Sequence, residues 1–201
     1  MANKKNKVKF GLKNCHYAKA TFDEDGEVTF AKPVRIPGAV SLSMDPEGTP
    51  ETFWADNCAF FVMNNNGGCT GDLEIALVPE SFSKDILHEE EDTNGVLVEN
   101  AETELEHFAL LFEFDGDKHK IRHVLYNCTS SRPTIEGNTT EDTKEPQTDT
   151  LELTATALAN GIVKAKTGAN TAQAVYDGWY NEVYLPQGTP VADDPTEEAQ
   201  G

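Results

Sequence analysis

The sequence predicts a mainly β domain, an antiparallel sandwich or partial barrel, and three observations carry that prediction. Apolar residues recur at every second position in segment after segment, the pattern of a strand with one buried face. Clusters of Gly, Asn, Asp and Pro separate these segments where turns are needed. The chain has 201 residues, enough for one sizeable core in a single domain.

Taken in order, the first turn signal is Asp23-Glu24-Asp25-Gly26. Val34, Ile36 and Val40 follow around Pro33, Pro37 and Gly38, which predicts a kinked or edge strand. Val40, Leu42 and Met44 alternate with Ser41 and Ser43, and a polar loop is expected from Asp45 to Pro50. After the run Asn64-Asn65-Asn66-Gly67-Gly68, Leu73, Ile75 and Leu77 alternate with Asp72, Glu74 and Ala76. A short helix is predicted over about residues 80–88, with Pro79 at its start and Phe82, Ile86 and Leu87 on one face. Asn94-Gly95 marks another turn. The clearest hairpin spans residues 108–131, with Asp115-Gly116 at its tip and Ile121, Val124, Leu125 and Tyr126 on the returning strand. Leu151 and Leu153 alternate with Glu152 and Thr154 in a further strand. A second short helix is expected near residues 172–180, weakened by Gly178. Residues 138–150 are polar and too long for an ordinary turn, which predicts a functional loop.

Charge is distributed unevenly. The net charge is -19, yet residues 1–22 carry six lysines and no acid. From His88 to His107 there is no Lys or Arg, and the stretch holds Glu89, Glu90, Glu91, Asp92, Glu99, Glu102, Glu104 and Glu106. Solvated segments account for both runs; the functional alternative is a basic arm docked on an acidic neighbour. So acidic a surface repels nucleic acid at long range and does not suit a membrane surface. The last 15 residues hold four acids and no base, the composition of a disordered tail. The expected organisation is therefore a flexible basic arm (residues 1–7), one β domain (residues 8–186) and an acidic tail (residues 187–201).

Chemistry is sparse. Cys15, Cys58, Cys69 and Cys128 lack metal-ligand or CxxC spacing and are expected as free thiols. His119 and His123 are four apart, but on an expected strand and without a following Glu, so a histidine pair is preferred over a zinc site. Asp23-x-Asp25-Gly26 and Asp115-Gly116-Asp117 read as turns rather than calcium loops. Gly67, Gly68 and Gly71 lack the Lys of a phosphate loop, and no nucleophile elbow occurs. No catalytic residue, metal or cofactor is expected. The aromatic pairs Phe53-Trp54, Phe60-Phe61 and Trp179-Tyr180 are candidates for core or interface. For Phe60 and Phe61, adjacent on a strand, core should cover one face and a neighbouring subunit the other.

Several motifs, taken together and in order, carry a resemblance. They are Lys9-Phe10-Gly11-Leu12-Lys13-Asn14, His16-Tyr17-Ala18, Pro37-Gly38-Ala39-Val40-Ser41-Leu42-Ser43, Ala55-Asp56-Asn57, Asn64-Asn65-Asn66 and Gly71-Asp72-Leu73-Glu74-Ile75-Ala76-Leu77. Phe108 to Gly116, Arg122-His123-Val124-Leu125-Tyr126-Asn127-Cys128, Arg132-Pro133-Thr134-Ile135-Glu136-Gly137 and Glu145-Pro146-Gln147-Thr148 complete the set. Across about residues 8–166 the chain resembles the major tail protein family of long-tailed phages and prophages of Gram-positive bacteria. The resemblance implies a β-sandwich of the tail-tube type, with one or two short helices and a long assembly loop. It implies a virion structural protein, made in the host cytoplasm, that self-assembles into stacked hexameric rings. The rings would surround a tape-measure protein, meet tail terminator and baseplate or initiator proteins, and pass double-stranded DNA in transit, with no membrane partner. Inter-subunit contacts are then expected at Asp45, Pro46, Glu47, Gly48, Phe53 and Trp54, and at Thr140, Glu141, Asp142, Lys144 and Glu145 in the long loop. Part of the acidity is expected to line the bore. Competing readings are a virion β-sandwich module for glycan or host attachment, a terminator or baseplate ring protein, and a hydrolase on a β scaffold.

Overall fold

The computed structural model describes residues 11–49, 51–63, 67–115, 120–135, 137, 139 and 146–186. The flexible arm and acidic tail expected at the two ends lie outside these residues. So do His119 and Thr140, Glu141, Asp142, Lys144 and Glu145.

The fold is mainly β and antiparallel. The first strands are β1 (Leu12–Phe22), β2 (Val28–Phe30), β3 (Val34–Arg35), β4 (Ala39–Glu47), β5 (Glu51–Ala55), β6 (Cys58–Met63) and β7 (Gly68–Ile75). Helix α1 (Glu80–Asp85), β8 (Glu90–Glu91), β9 (Leu97–Val98), β10 (Phe108–Phe114), β11 (Arg122–Ser130), β12 (Asp149–Thr156), β13 (Lys164–Lys166) and helix α2 (Gln173–Gly178) follow. One sheet runs in the order β2-β1-β10-β11-β12-β7-β4, with β13 on β11 and β3 on β1; β5–β6 and β8–β9 are separate ribbons.

The sheet curls without closing. β4 ends the sheet, yet Leu42 and Met44 face Phe112, Phe114 and Leu125 across a cleft. Inside the curl, Tyr17, Leu73, Ile75, Phe108, Leu110, Leu151 and Leu153 form one core with Phe82, Ile86 and Leu87. Phe82 makes edge contacts with Tyr17 and Phe108, centroids 5.1 and 5.5 Å away. The Tyr17 hydroxyl donates to Asp85 at 2.7 Å, which ties α1 to β1. This is an antiparallel β-sandwich, open rather than barrel-closed.

Over β10 and the residue after it, Leu110, Phe112 and Phe114 alternate with Leu111, Glu113 and Asp115, which predicts a strand buried on one face, and the structure differs. Phe108, Leu110 and Phe112 enter the inner core, but Ala109 and Leu111 are buried as well. A second cluster on the outer face, Ala18, Ala109, Leu111, Val124 and Tyr126, is roofed by Leu158 and Trp179. The chain after β12 therefore works as a strap across β1, β10 and β11. It is held by the Tyr126 hydroxyl on the Tyr184 carbonyl (2.7 Å) and the Trp179 indole N–H on the His123 carbonyl (3.4 Å).

Local signals explain most element ends. Asp23 accepts backbone N–H groups from Asp25 and Glu27, and Gly26 takes φ 81°, so this is the expected turn. Gly95 plays the same part at φ 80° between β8 and β9. Gly71 is required for another reason: a Cβ there would lie 1.9 Å from the Ser43 carbonyl, so only Gly lets β7 approach β4 this closely. Both helices are shorter than expected, because α1 stops before Ile86 and α2 stops at Gly178. The polar loop expected from Asp45 is a correction: β4 continues through Glu47, with Pro46 opposite Cys69. Pro46 is tolerated because β4 is the last strand of the sheet and one side of its backbone needs no partner. At the far end of the predicted long loop, Asp149 and Thr150 already belong to β12.

Candidate functional site

Two surfaces and one buried cluster stand out. The first surface is the β5–β6 hairpin, which lies in the chain between β4 and β7, whose own ladder ends at the Glu47–Gly68 pair. Its turn is Asp56-Asn57, both at positive φ (53° and 59°), between the paired residues Ala55 and Cys58. That is the geometry of a two-residue hairpin turn, and Asp and Asn are among the side chains that tolerate it. The ladder slips between Phe53 and Trp54: Phe53 faces Phe61 and Trp54 faces Ala59, leaving Phe60 as the extra residue of a bulge.

The hairpin is apolar and uncovered. Phe53 is 57% exposed, Trp54 66%, Phe60 68% and Phe61 59%. The expectation that core covers one face at Phe60 and Phe61 is therefore corrected, because the ribbon stands away from the core and the bulge breaks simple alternation. An isolated two-stranded ribbon is at best marginally stable in water, and contiguous exposed apolar surface of this kind marks an interaction site.

The second surface is the outer face of β4, β7 and β12. Register places Thr150 opposite Glu74 and Glu74 opposite Ser41; the next row is Glu152, Asp72 and Ser43, then Thr154, Thr70 and Asp45. With Glu47 beyond Asp45 on β4, these residues carry acids and hydroxyls and no base. Glu74 accepts from Ser41 (2.8 Å) and Thr148 (2.7 Å). The Thr148 bond, followed by the Ser41 bond, holds its carboxyl below the usual carboxylate range. Asp45, Pro46 and Glu47 lie at the edge of this face; Gly48 leads towards the hairpin that carries Phe53 and Trp54.

The buried cluster lies where α2 meets the sheet. Glu113, 4% exposed, accepts from Asn14 (2.7 Å), Tyr180 (3.1 Å) and Arg122 (3.3 Å). The Arg122 guanidinium also lies 3.8 Å from the Tyr176 ring centre and donates to the Tyr176 carbonyl. His16 stacks on Tyr180 at 4.7 Å. Burial pushes the Tyr180 hydroxyl well above its ordinary pKa, with Glu113 adding to the effect, so it stays a donor. Nothing here pairs a nucleophile with a base; the cluster clamps the strap onto β10 and β11.

Other predicted residues sort simply. Cys58 is exposed on the hairpin, while Cys15, Cys69 and Cys128 are buried, and none is in a disulfide. Burial pushes the Cys15 and Cys128 thiols up to about 12, so neither is a thiolate at neutral pH. His123 stacks on Phe112 at 5.1 Å. Among the described residues no group of three metal-ligating side chains occurs, and no helix is long and apolar enough to cross a membrane. Part of the acidic stretch is tied down within its own chain, through Lys19–Glu106 (2.9 Å), Lys84–Glu91 (2.5 Å) and Arg132–Glu99 (2.7 Å).

Sequence reasoning placed Phe53 and Trp54 at a contact surface but missed their hairpin. The available signal was Asp56-Asn57 flanked by aromatic runs. The Glu113–Arg122–Tyr180 cluster had no such signal, since its members are far apart in the chain.

No curated protein matches the sequence. A family model described as "Phage tail tube protein" matches residues 1–184. With nearly the whole chain matched and an open antiparallel β-sandwich for a fold, this chain belongs to the phage tail tube protein family, and is a structural subunit of the virion tail.

Proposed function

We propose that this subunit closes into hexameric rings that stack into the tube through which DNA is ejected, with the β5–β6 hairpin as the arm that engages a neighbouring copy. The observation that carries this is the hairpin itself, four large aromatic side chains more than half exposed on a ribbon outside the core. Such a ribbon gains its missing cover from another subunit, and one repeated heterologous contact closes a ring. The base-free face of β4, β7 and β12 then turns to the bore, where its carboxylates repel phosphate and let DNA slide. Asp45, Pro46, Glu47 and Gly48, together with residues 138–150, serve the contact between rings. The tape-measure protein fills the bore during assembly, and terminator and baseplate or initiator proteins cap the ends.

The test is Trp54→Ser with Phe60→Ser, imaged by negative-stain electron microscopy beside the parent protein. The expected outcome is a folded subunit that forms no rings or tubes. Parent-like tubes from the double variant would sink the proposal. For the bore, Asp72→Lys with Glu152→Lys should leave tubes intact and slow ejection; unchanged ejection would place that face outside the lumen.

A further inference from the structure

We propose that the cleft between β4 and the β10–β11–β13 side of the sheet is the socket for the β5–β6 hairpin of a second copy of this chain, an inference that rests on the hairpin being the assembly arm. The cleft has a volume of about 200 Å³ and is lined by Leu42, Met44, Phe112, Phe114, Leu125 and Ala165. A cavity of about 150 Å³ already takes a benzene ring, so this one has room for an aromatic side chain. It is open to solvent in the subunit because the curl of the sheet stops short of closing, and β4 has no strand beyond it.

The hairpin of the same subunit does not fill it, since among the described residues none of β5 or β6 lines the cleft. The β4–β7 ladder ends at the Glu47–Gly68 pair, three residues beyond Met44. The aromatics of the hairpin stay exposed in their own subunit and are left for a second copy. Phe60, the extra residue of the bulge, and Trp54 are the most exposed large aromatics of the hairpin and supply the apolar insert.

Charge agrees with this pairing. Between Thr52 and Val62 the hairpin carries one charged side chain, Asp56 at the tip. The rim of the cleft carries Lys164, and Lys166 lies on the same short strand. In a chain of net charge -19, a basic rim beside an apolar socket is a specific place for an acidic tip to dock. Donor and socket are different patches, so the contact is heterologous and leads from copy to copy rather than stopping at a symmetric dimer.

Four variants test the socket by light scattering and electron microscopy. Met44→Trp, at a half-buried position on the cleft wall, fills the cleft but keeps the hairpin, whereas W54S/F60S keeps the cleft but blunts the hairpin. Each alone should stay monomeric. Mixed, they should form a one-to-one dimer that grows no further, because one good hairpin meets one good socket. A mixture that remains monomeric, or tubes from Met44→Trp alone, overturns the socket. Tubes from W54S/F60S alone overturn instead the reading of the hairpin as the arm. Lys164→Glu is an exposed charge change that leaves folding intact should Met44→Trp fail to fold. It should raise the critical concentration for assembly a few-fold, the worth of a rim ion pair, and adding Asp56→Lys should restore it. Equal assembly by Lys164→Glu, or no rescue by the swap, also counts against the socket.

Discussion

The β10–β11 ladder and the β5–β6 hairpin are both antiparallel pairs of apolar, aromatic-rich strands, yet the first is covered on both faces and the second largely on neither. Local sequence does not make that difference. β10 gains its inner cover from the curl of the sheet and its outer cover from the strap, both built from residues far away in the chain. β5 and β6 lie in a ribbon that pairs only with itself among the described residues. A fold whose core is complete without a set of large aromatics has those aromatics to spare for another molecule.

The comparison breaks most sharply at one Phe on each side. Phe108→Ala removes a fully buried ring at the meeting of β10 and α1 and should cost about 3–5 kcal/mol in urea unfolding. Phe60→Ser should stay within about 0.5 kcal/mol, as surface changes do, while abolishing tube growth. A large loss of stability from Phe60→Ser would mean that the hairpin is part of the core after all.

The strap offers an intermediate case, since releasing it would make the outer face of β10–β11 resemble the hairpin. Arg122→Met leaves the Glu113 carboxylate buried without its cation and should cost about 3 kcal/mol. Apolar surface around Leu111, Val124 and Tyr126 should then bind a hydrophobic dye. An unchanged unfolding midpoint with no dye signal would show that packing of Trp179, not the ion pair, holds the strap.

Thiol labelling sharpens the same contrast without a mutation. In the folded subunit one cysteine, Cys58, should react quickly with a thiol reagent, while Cys15, Cys69 and Cys128 remain protected by burial. In assembled tubes Cys58 should become protected too. Equal reactivity of Cys58 in both states would place the hairpin tip outside the interface.

How much of this was legible in the sequence follows the same division. Strands set by alternation, such as Leu73 and Ile75 or Leu151 and Leu153, and turns set by Asp23–Gly26 and Asn94-Gly95, could be read directly because their causes are local. The run from Asp45 to Gly48 looked like a loop because Pro and Gly punctuate it, yet an edge strand accommodates Pro46. Phe53 and Trp54 were expected at a subunit contact, but their exposure could not be read locally, because it depends on what the rest of the chain leaves uncovered. The buried side of β10 was illegible for the same reason: Glu113 reads as a solvent-facing residue until Arg122 and Tyr180 arrive from elsewhere.

The smallest expected effect is a pH dependence of the strap. His16 stacks on Tyr180, and its Nδ1–H donates to the Asn14 carbonyl at 2.8 Å. Burial lowers its pKa from 6.5; Arg35 pushes the same way, while the Asn14 bond and Glu113 oppose. The folded protein thus binds this proton less readily than the unfolded chain. Its contribution is fully present above pH 6.5 and is lost as pH falls from 6.5 through the depressed folded value. Between pH 7.5 and 5.5 the parent should lose stability more steeply than His16→Gln, which keeps a polar side chain but does not titrate. The other histidines and the carboxylates remain in both proteins, so the difference in slope isolates this site. Parallel slopes would mean that the imidazolium finds compensation at Glu113, and would leave the strap held equally well in acid. The hairpin carries no histidine, so assembly measured over the same range should track the strap only if loosening it disturbs β10, β11 and β13, the side of the cleft that the strap supports.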